Sequence, residues 1–173
     1  MTTIKTKQRP QIYARTMTID GQTWLLGATE TALVFVGFPD QAANQIADFF
    51  PEAEILPDTA GYTVAAGVAL QAYLAGDQVT WSLPWQTDGT SFQERVWAQL
   101  RQIPYGTTTT YQQIATAIGQ PGASRAVGSA VGANPLLLLI PCHRVVPQAG
   151  GVGQYRGGAA LKQQLLALEA QSR

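Results

Sequence analysis

The sequence predicts an α/β N-terminal half, a small antiparallel sheet with helices, followed by a mainly α-helical C-terminal half that carries a helix-turn-helix. Three observations lead there. Residues 11–37 are rich in β-branched and aromatic residues punctuated by turn residues, the pattern of short strands. From Thr90 onward, apolar residues recur at helical spacing behind recognisable caps. The charge divides at nearly the same place: residues 1–90 hold four Lys or Arg against nine Asp or Glu, and residues 91–173 hold seven against two. We therefore expect an acidic scaffold domain over residues 1–86 and a basic working domain over 87–173, the latter suited to a polyanion.

In the first half, residues 1–10 are polar and aperiodic and read as a frayed terminus. Gln11 to Ile19 forms the first strand, Asp20-Gly21 the hairpin turn, and Thr23 to Ala28 and Thr31 to Gly37 the next two strands. Asp40 can cap a helix with Ala43, Ile46, Ala47 and Phe50 on one face, stopped by Pro51. Glu52 to Tyr62 reads as an irregular connection. A second helix over Thr63 to Ala75 places Val64, Val68 and Leu74 inward and ends at Gly76. Val79 to Leu83 reads as a short strand and Trp85 to Gly89 as a linker. No catalytic groups gather in this half.

In the second half, Thr90 and Gln93 form a capping box, with Phe92, Val96, Leu100 and Ile103 as the stripe of the helix that follows. Pro104-Tyr105-Gly106 ends it. Thr110 caps the next helix, with Tyr111, Ile114, Ala115 and Ile118 on one face and Gly119 just beyond. After the Gln120-Pro121-Gly122 turn, Ser124 to Ala133 forms a second helix, completing the helix-turn-helix plan used on DNA. Its packing side is Ala126, Val127, Ala130 and Val131. Arg125, Gly128, Ser129 and Gly132 share another face. Each interior glycine costs about 1 kcal/mol of helix propensity, so this face invites close approach, either by a second helix or by a bulky partner such as a DNA groove.

Asn134-Pro135 forces a turn, and the apolar run Leu136 to Ile140 should be buried and deliver Cys142 from the interior. Cys142 is the only cysteine and His143 the only histidine. A thiol beside an imidazole is the minimum for an activated sulfur nucleophile; a buried structural Cys beside a hydrogen-bonded His is the other reading. In an extended strand the two side chains would point to opposite faces, so cooperation requires a bridging water or a local turn. Beyond the loop Pro147 to Gly153, Tyr155-Arg156-Gly157-Gly158 offers backbone freedom or close ligand approach. The last helix, Ala159 to Ala170, turns Leu161, Leu165 and Leu168 inward. Glu169 borders that stripe near the helix C-terminus, where the dipole disfavours an anion. It is either solvated or paired, and His143 is the natural partner.

A single cysteine allows no intrachain disulfide and no multi-cysteine zinc site, and a lone usable thiol suits the reducing cytoplasm. The N-terminus lacks a secretory signal pattern, and no apolar run approaches the roughly 20 residues of a membrane span. No membrane partner is expected.

Taken together, these residues resemble the O6-alkylguanine-DNA alkyltransferase family (methylated-DNA–protein-cysteine methyltransferases). The likeness runs from about Leu70 to Glu169. It is carried by Gly89-Thr90-Ser91-Phe92-Gln93 with Val96-Trp97, Ile103-Pro104-Tyr105-Gly106, Tyr111, Arg125-Ala126-Val127-Gly128, Asn134-Pro135, Ile140-Pro141-Cys142-His143-Arg144-Val145-Val146, Tyr155-Arg156-Gly157-Gly158 and Lys162 with Leu165-Leu166. The resemblance implies a ribonuclease H-like N-terminal domain and a winged helix-turn-helix-like unit after it. It also implies single-use transfer of an alkyl group from O6-alkylguanine in double-stranded DNA to Cys142, with O4-alkylthymine a minor substrate class, by a monomer with no metal or organic cofactor. The implied catalytic residues are Cys142, His143, Glu169, Tyr111 and Asn134, with Arg144 helping to lower the thiol pKa. Pro141, Val145, Tyr155, Arg156, Gly157 and Lys162 would bind the substrate base. Arg125, Gly128, Ser129, Gly132, Tyr111 and Arg144 would contact DNA.

Overall fold

The structure, a computed structural model, describes residues 9–41 and 44–171. The frayed terminus expected over residues 1–10 lies largely outside them, as does Ala43. Strands β1 (Gln11–Ile19) and β2 (Gln22–Ala28) form the anticipated hairpin about Asp20-Gly21, and β3 (Leu33–Val36) pairs antiparallel with β2. Residues Glu52 to Tyr62 are not wholly irregular: Glu54–Pro57 is a strand, β4, that runs parallel to β1. The sheet is therefore mixed, in the order β3-β2-β1-β4.

Both faces of this sheet are covered. Ile12, Leu25, Val34 and Phe35 pack with Ile46 of the short helix α1 (Gln45–Phe49). Trp24, Leu26, Leu33 and Val36 pack with Ala66, Leu70 and Tyr73 of α2 (Val64–Leu74). The alternation Trp24/Leu25/Leu26 serves opposite faces, so a doubly covered strand reads as one apolar run. Asp40 does not cap α1. It sits at φ 57° and its carboxylate accepts the Thr23 N–H at 2.8 Å, while Asn44 occupies the N-cap position.

The face of α2 differs from expectation. Val64 and Val68 are 48% and 65% exposed, and Ala66, Gly67, Leu70 and Tyr73 point inward. The helix lies so close to the sheet that a Cβ on Gly67 would come within 3.0 Å of Met17 Sδ. Small residues face the sheet for that reason and the larger valines are left outside. Val79 to Leu83 forms no strand.

Helix α3 (Ser91–Leu100) begins at the Thr90/Gln93 capping box, and α4 (Tyr111–Ala117) at a second box formed by Thr110 and Gln113. Helix α5 (Ser124–Gly132) packs on both, and Trp97 Nε1 donates to the Ala130 carbonyl at 2.8 Å. Helix α6 (Ala159–Gln171) closes the fold. Val36 N–H bonds the Pro135 carbonyl at 2.9 Å and Leu137 N–H bonds the Val36 carbonyl at 3.2 Å. The sheet edge thus continues into the segment that leads to Cys142, and one buried core runs through both halves. No helix among the described residues is long and apolar enough to cross a membrane.

Candidate active site

The five residues Leu136 to Ile140 are all buried, as their composition requires. They do not run straight: Leu138 adopts φ 68°, and Ile140 N–H returns to the Leu136 carbonyl at 2.9 Å. Asn134 pins this loop. Its Oδ1 accepts the Leu136 N–H at 2.9 Å and its Nδ2 donates to the Ile140 carbonyl at 2.8 Å. Past Pro141 the chain enters a single 3₁₀ turn, Cys142–Arg144, and then β6 (Val145–Val146), parallel to β5 (Thr109–Thr110). That pairing holds the start of α4, and with it Tyr111, against the Cys142 turn.

Cys142 is 3% exposed and stands in a cavity of about 720 Å³. Tyr111, Arg125, Gly128, Gly132, Asn134, Tyr155 and Arg156 line the same cavity, as do Phe38, Ser124, Val131, Leu137 and Gln154, which sequence reasoning did not select. Phe38 comes from the N-terminal half and meets Tyr155 edge-on at 5.5 Å. A Cβ on Gly157 would collide with Phe38 and Leu161, so only glycine lets the Tyr155 loop lie this close. The Arg156 guanidinium stacks over the Phe49 ring at 4.4 Å.

Behind the cavity, the local turn that cooperation between Cys142 and His143 required is present. It sends the imidazole into a buried polar cluster. His143 Nε2 lies 2.8 Å from Glu169 Oε1 and 3.2 Å from the Tyr73 hydroxyl, which donates to Glu169 Oε1 at 2.6 Å. Gly106 N–H donates to Glu169 Oε2 at 2.9 Å, which gives the Ile-Pro-Tyr-Gly segment a task beyond ending α3. Tyr73 belongs to α2, so the N-terminal half does supply a polar group to this cluster. Its isolation among apolar residues gave no sequence signal.

Several residues stand elsewhere than expected. Arg144 does not face DNA: it is buried, its Nε and Nη2 bond the Glu169 carboxylate at 2.8 to 3.1 Å, and its Nη1 donates to the Ile103 carbonyl. A guanidinium so engaged stays inside because its charge is already compensated. Lys162 does not line the cavity either. It is buried, and its Nζ donates to the Val145 carbonyl at 2.6 Å and the Gln154 carbonyl at 3.4 Å, tying the Cys142 segment to the Tyr155 loop. Pro141, His143, Val145, Gly157 and Glu169 likewise stand behind the cavity wall.

The electrostatics follow from burial. Burial pushes the Cys142 thiol up, against the opposing pull of hydrogen bonds from Asn134 and Tyr155 and of the Lys162 charge. On balance the thiol is raised, not lowered as its imidazole and Arg144 neighbours led one to expect. Burial lowers the His143 pKa despite Glu169, so the imidazole is neutral. Burial alone would raise Glu169; hydrogen bonds from His143, Arg144 and Tyr73 outweigh it and hold the carboxyl far below the usual range. Burial, then the nearby Cys142, raises Tyr111, which stays a neutral donor.

On α5, Arg125, Ser129 and Gly132 are exposed, and Ala126 is exposed too, so the packing side reduces to Val127, Ala130 and Val131. A Cβ on Gly132 would meet nothing within 4 Å, and one on Gly128 only the Tyr111 ring at 3.9 Å. Helix–helix contact does not account for these glycines. The Gly128→Ala variant should accordingly gain up to about 1 kcal/mol in stability, read as a raised urea midpoint, while losing affinity for duplex DNA in a titration.

Residues 91–171 match the family described as 6-O-methylguanine DNA methyltransferase, DNA binding domain. The inducible methylated-DNA–protein-cysteine methyltransferase of Bacillus subtilis is 36% identical over 165 residues, covering 93% of this chain and 92% of that protein. The methylated-DNA–protein-cysteine methyltransferase of Methanosarcina acetivorans is 38% identical over 84% of this chain and 90% of its own length. The solved structure of Mycobacterium tuberculosis O6-methylguanine methyltransferase superposes with a TM-score of 0.80 at 34% identity, covering 94% of each chain. Mycobacterium tuberculosis OGT in complex with DNA superposes with a TM-score of 0.77 over the same shares. With a buried cysteine facing a cavity beside an open, glycine-lined helix, and likeness extending over nearly the whole length, the chain belongs to the methylated-DNA–protein-cysteine methyltransferase family.

Proposed function

We propose that this protein repairs DNA by direct reversal, moving the alkyl group from O6 of a guanine in double-stranded DNA onto Cys142 once per molecule. The observation that carries the reading is a lone thiol in a cavity that opens beside Arg125 and the bare Gly128/Gly132 face of α5. A guanine stacked in a duplex hides its O6 substituent from a protein sulfur, so the nucleotide is flipped into the cavity. Arg125 takes the space it leaves, and Gly128, Ser129 and Gly132 let α5 lie in the minor groove.

The chemistry then runs as follows. The thiol proton passes, through water, to the bare nitrogen of His143, which Glu169 orients. Sγ forms a bond to the alkyl carbon as the carbon–O6 bond breaks, and the electron pair returns to the guanine. Tyr111 hydrogen-bonds the departing base, Asn134 shapes the loop that presents Cys142, and Pro141 sets its turn. Tyr155 and Arg156 form the wall that reads the base, backed by Val145 and Gly157 and held from behind by Lys162. The product is a thioether, a poor leaving group, and this accounts for single use.

The finer architecture belongs to the same proposal: residues 1–86 as a ribonuclease H-like scaffold, and residues 87–173 as a winged helix-turn-helix-like unit of a cytoplasmic monomer. Methyl is the main cargo and O4-alkylthymine a minor substrate class. The test is intact-protein mass after exposure to a duplex bearing one O6-methylguanine. One methyl group per molecule, located on Cys142, is expected. Disappearance of the lesion with Cys142 unmodified overturns the mechanism.

A further inference from the structure

We infer that Tyr73, contributed by the N-terminal half, is a positioning residue for transfer: its hydroxyl shares the Glu169 carboxylate with His143, which sets the ring proton on Nε2 and leaves Nδ1 bare. The inference rests on the alkyl-transfer reading above and concerns how the base is kept ready.

The protons around Glu169 can be counted one by one. Arg144, Gly106, Tyr73 and His143 all converge on Glu169. A carboxylate held far below its usual range has no proton to give, so each of these neighbours donates. His143 Nε2, 2.8 Å from Oε1, therefore carries the ring proton. The one Tyr73 proton goes to Oε1 at 2.6 Å, leaving the phenol oxygen to accept a share of the Nε2–H at 3.2 Å. Were Nε2 bare and Tyr73 its donor, two acceptor pairs would face each other at 2.6 and 2.8 Å with no proton between them. By elimination Nδ1 is the basic nitrogen, and it is the one imidazole atom buried with no hydrogen-bond partner.

Tyr73 adds more than a contact. Its short hydrogen bond draws charge from Oε1 and weakens the pull of Glu169 on an imidazolium. The other groups facing the ring act in opposite directions: Arg144 from the 3₁₀ turn and Lys162 from α6 oppose the imidazolium, and Glu169 favours it. Tyr105 stacks edge-on to Tyr73 at 6.0 Å and beneath Arg144 at 5.6 Å. Of these, the Tyr73 hydroxyl is the group that can be removed without altering a charge.

The experiment uses the Tyr73→Phe variant of the full chain. The protein has one histidine, so ¹⁵N NMR of the imidazole reports it without ambiguity. In the parent, the spectrum should show the Nε2–H tautomer. In Tyr73→Phe the imidazole should titrate at higher pH, and the acid limb of the transfer-rate profile should move up with it. Transfer should slow about tenfold, part of the roughly 10² to 10⁴ that a positioned base contributes, with duplex affinity unchanged. Leu70→Ala, a buried change on the same helix, serves as the packing control and should leave the imidazole titration where it is. A parent ring protonated on Nδ1, or identical titrations in parent and Tyr73→Phe, overturns the inference even if transfer is intact. Failure of the parent to take up methyl instead sinks the alkyl-transfer reading, leaving the NMR result to judge Tyr73 alone.

Discussion

Cys142→Ser is expected to lose methyl uptake by at least about a thousandfold while still binding lesion-bearing duplex. Nucleophile and cavity are separable in this protein. A serine hydroxyl is smaller than the thiol it replaces, and the sulfur's contacts, with Asn134 and with the Tyr155 hydroxyl at 3.8 Å, are the weak ones that sulfur makes. The loop that presents residue 142 is held by Asn134, Ile140 and Lys162 rather than by the sulfur, so the cavity survives. Chemistry does not, because a hydroxyl holds its proton far more tightly than a thiol and is a poorer partner for a saturated carbon. Mass spectrometry reads the first half of the prediction and a fluorescence-anisotropy titration the second. Methyl found on the serine variant would place the acceptor elsewhere. Loss of duplex binding together with cooperative unfolding would make Cys142 a structural residue.

The features that sequence reasoning reached share a physical property: they are local, or they join groups whose rarity names them. The Thr90/Gln93 box forms as expected, and Thr110 caps α4, where the structure adds a second box with Gln113. Gly119 ends α4 at φ 74° as a C-terminal glycine should. The bare face of α5 is legible because helical spacing alone brings Arg125, Gly128, Ser129 and Gly132 together. Glu169 could be linked to His143 because a carboxylate at a helix C-terminus needs a partner and the chain has one imidazole.

What escaped is non-local. Strand β4 has four residues, three of them exposed, and ends in proline, so no alternation marks it; its pairing with β1 is visible only in three dimensions. Hydropathy alone misplaces the inward face of α2, because valine outranks alanine and glycine on that scale, whereas close approach to the sheet favours the small residues. Arg144 resembles a surface cation until Glu169, 25 positions later, is placed against it. Phe38 and Tyr73 carry no motif at all. The fold of the second half makes them part of the site.

Glu169 concentrates the largest structural consequence. Its replacement by alanine leaves the Arg144 side chain, 10% exposed, without its counter-charge and strips partners from Tyr73 and Gly106. Breaking a buried pair from one side costs about 3–5 kcal/mol, so Glu169→Ala should unfold at much lower urea than the parent; a loss under about 1 kcal/mol would mean that Arg144 finds solvent. Glu169→Gln keeps the shape and isolates the charge. The sign of the pH dependence follows from the depressed carboxyl. The folded value lies below the unfolded one, so its stabilisation is complete above roughly pH 4.3 and is lost as pH falls from there toward the folded value. The stability gap between parent and Glu169→Gln should therefore be constant near neutrality and shrink in acid. His143, whose value burial also lowers, adds a separate loss that begins as pH falls below roughly 6.5, and this step should survive in Glu169→Gln because burial persists there. A gap that already changes with pH near neutrality, above the His143 step, would mean that the carboxyl is protonated in the folded protein, and the assignment of Nδ1 as the base would fall with it.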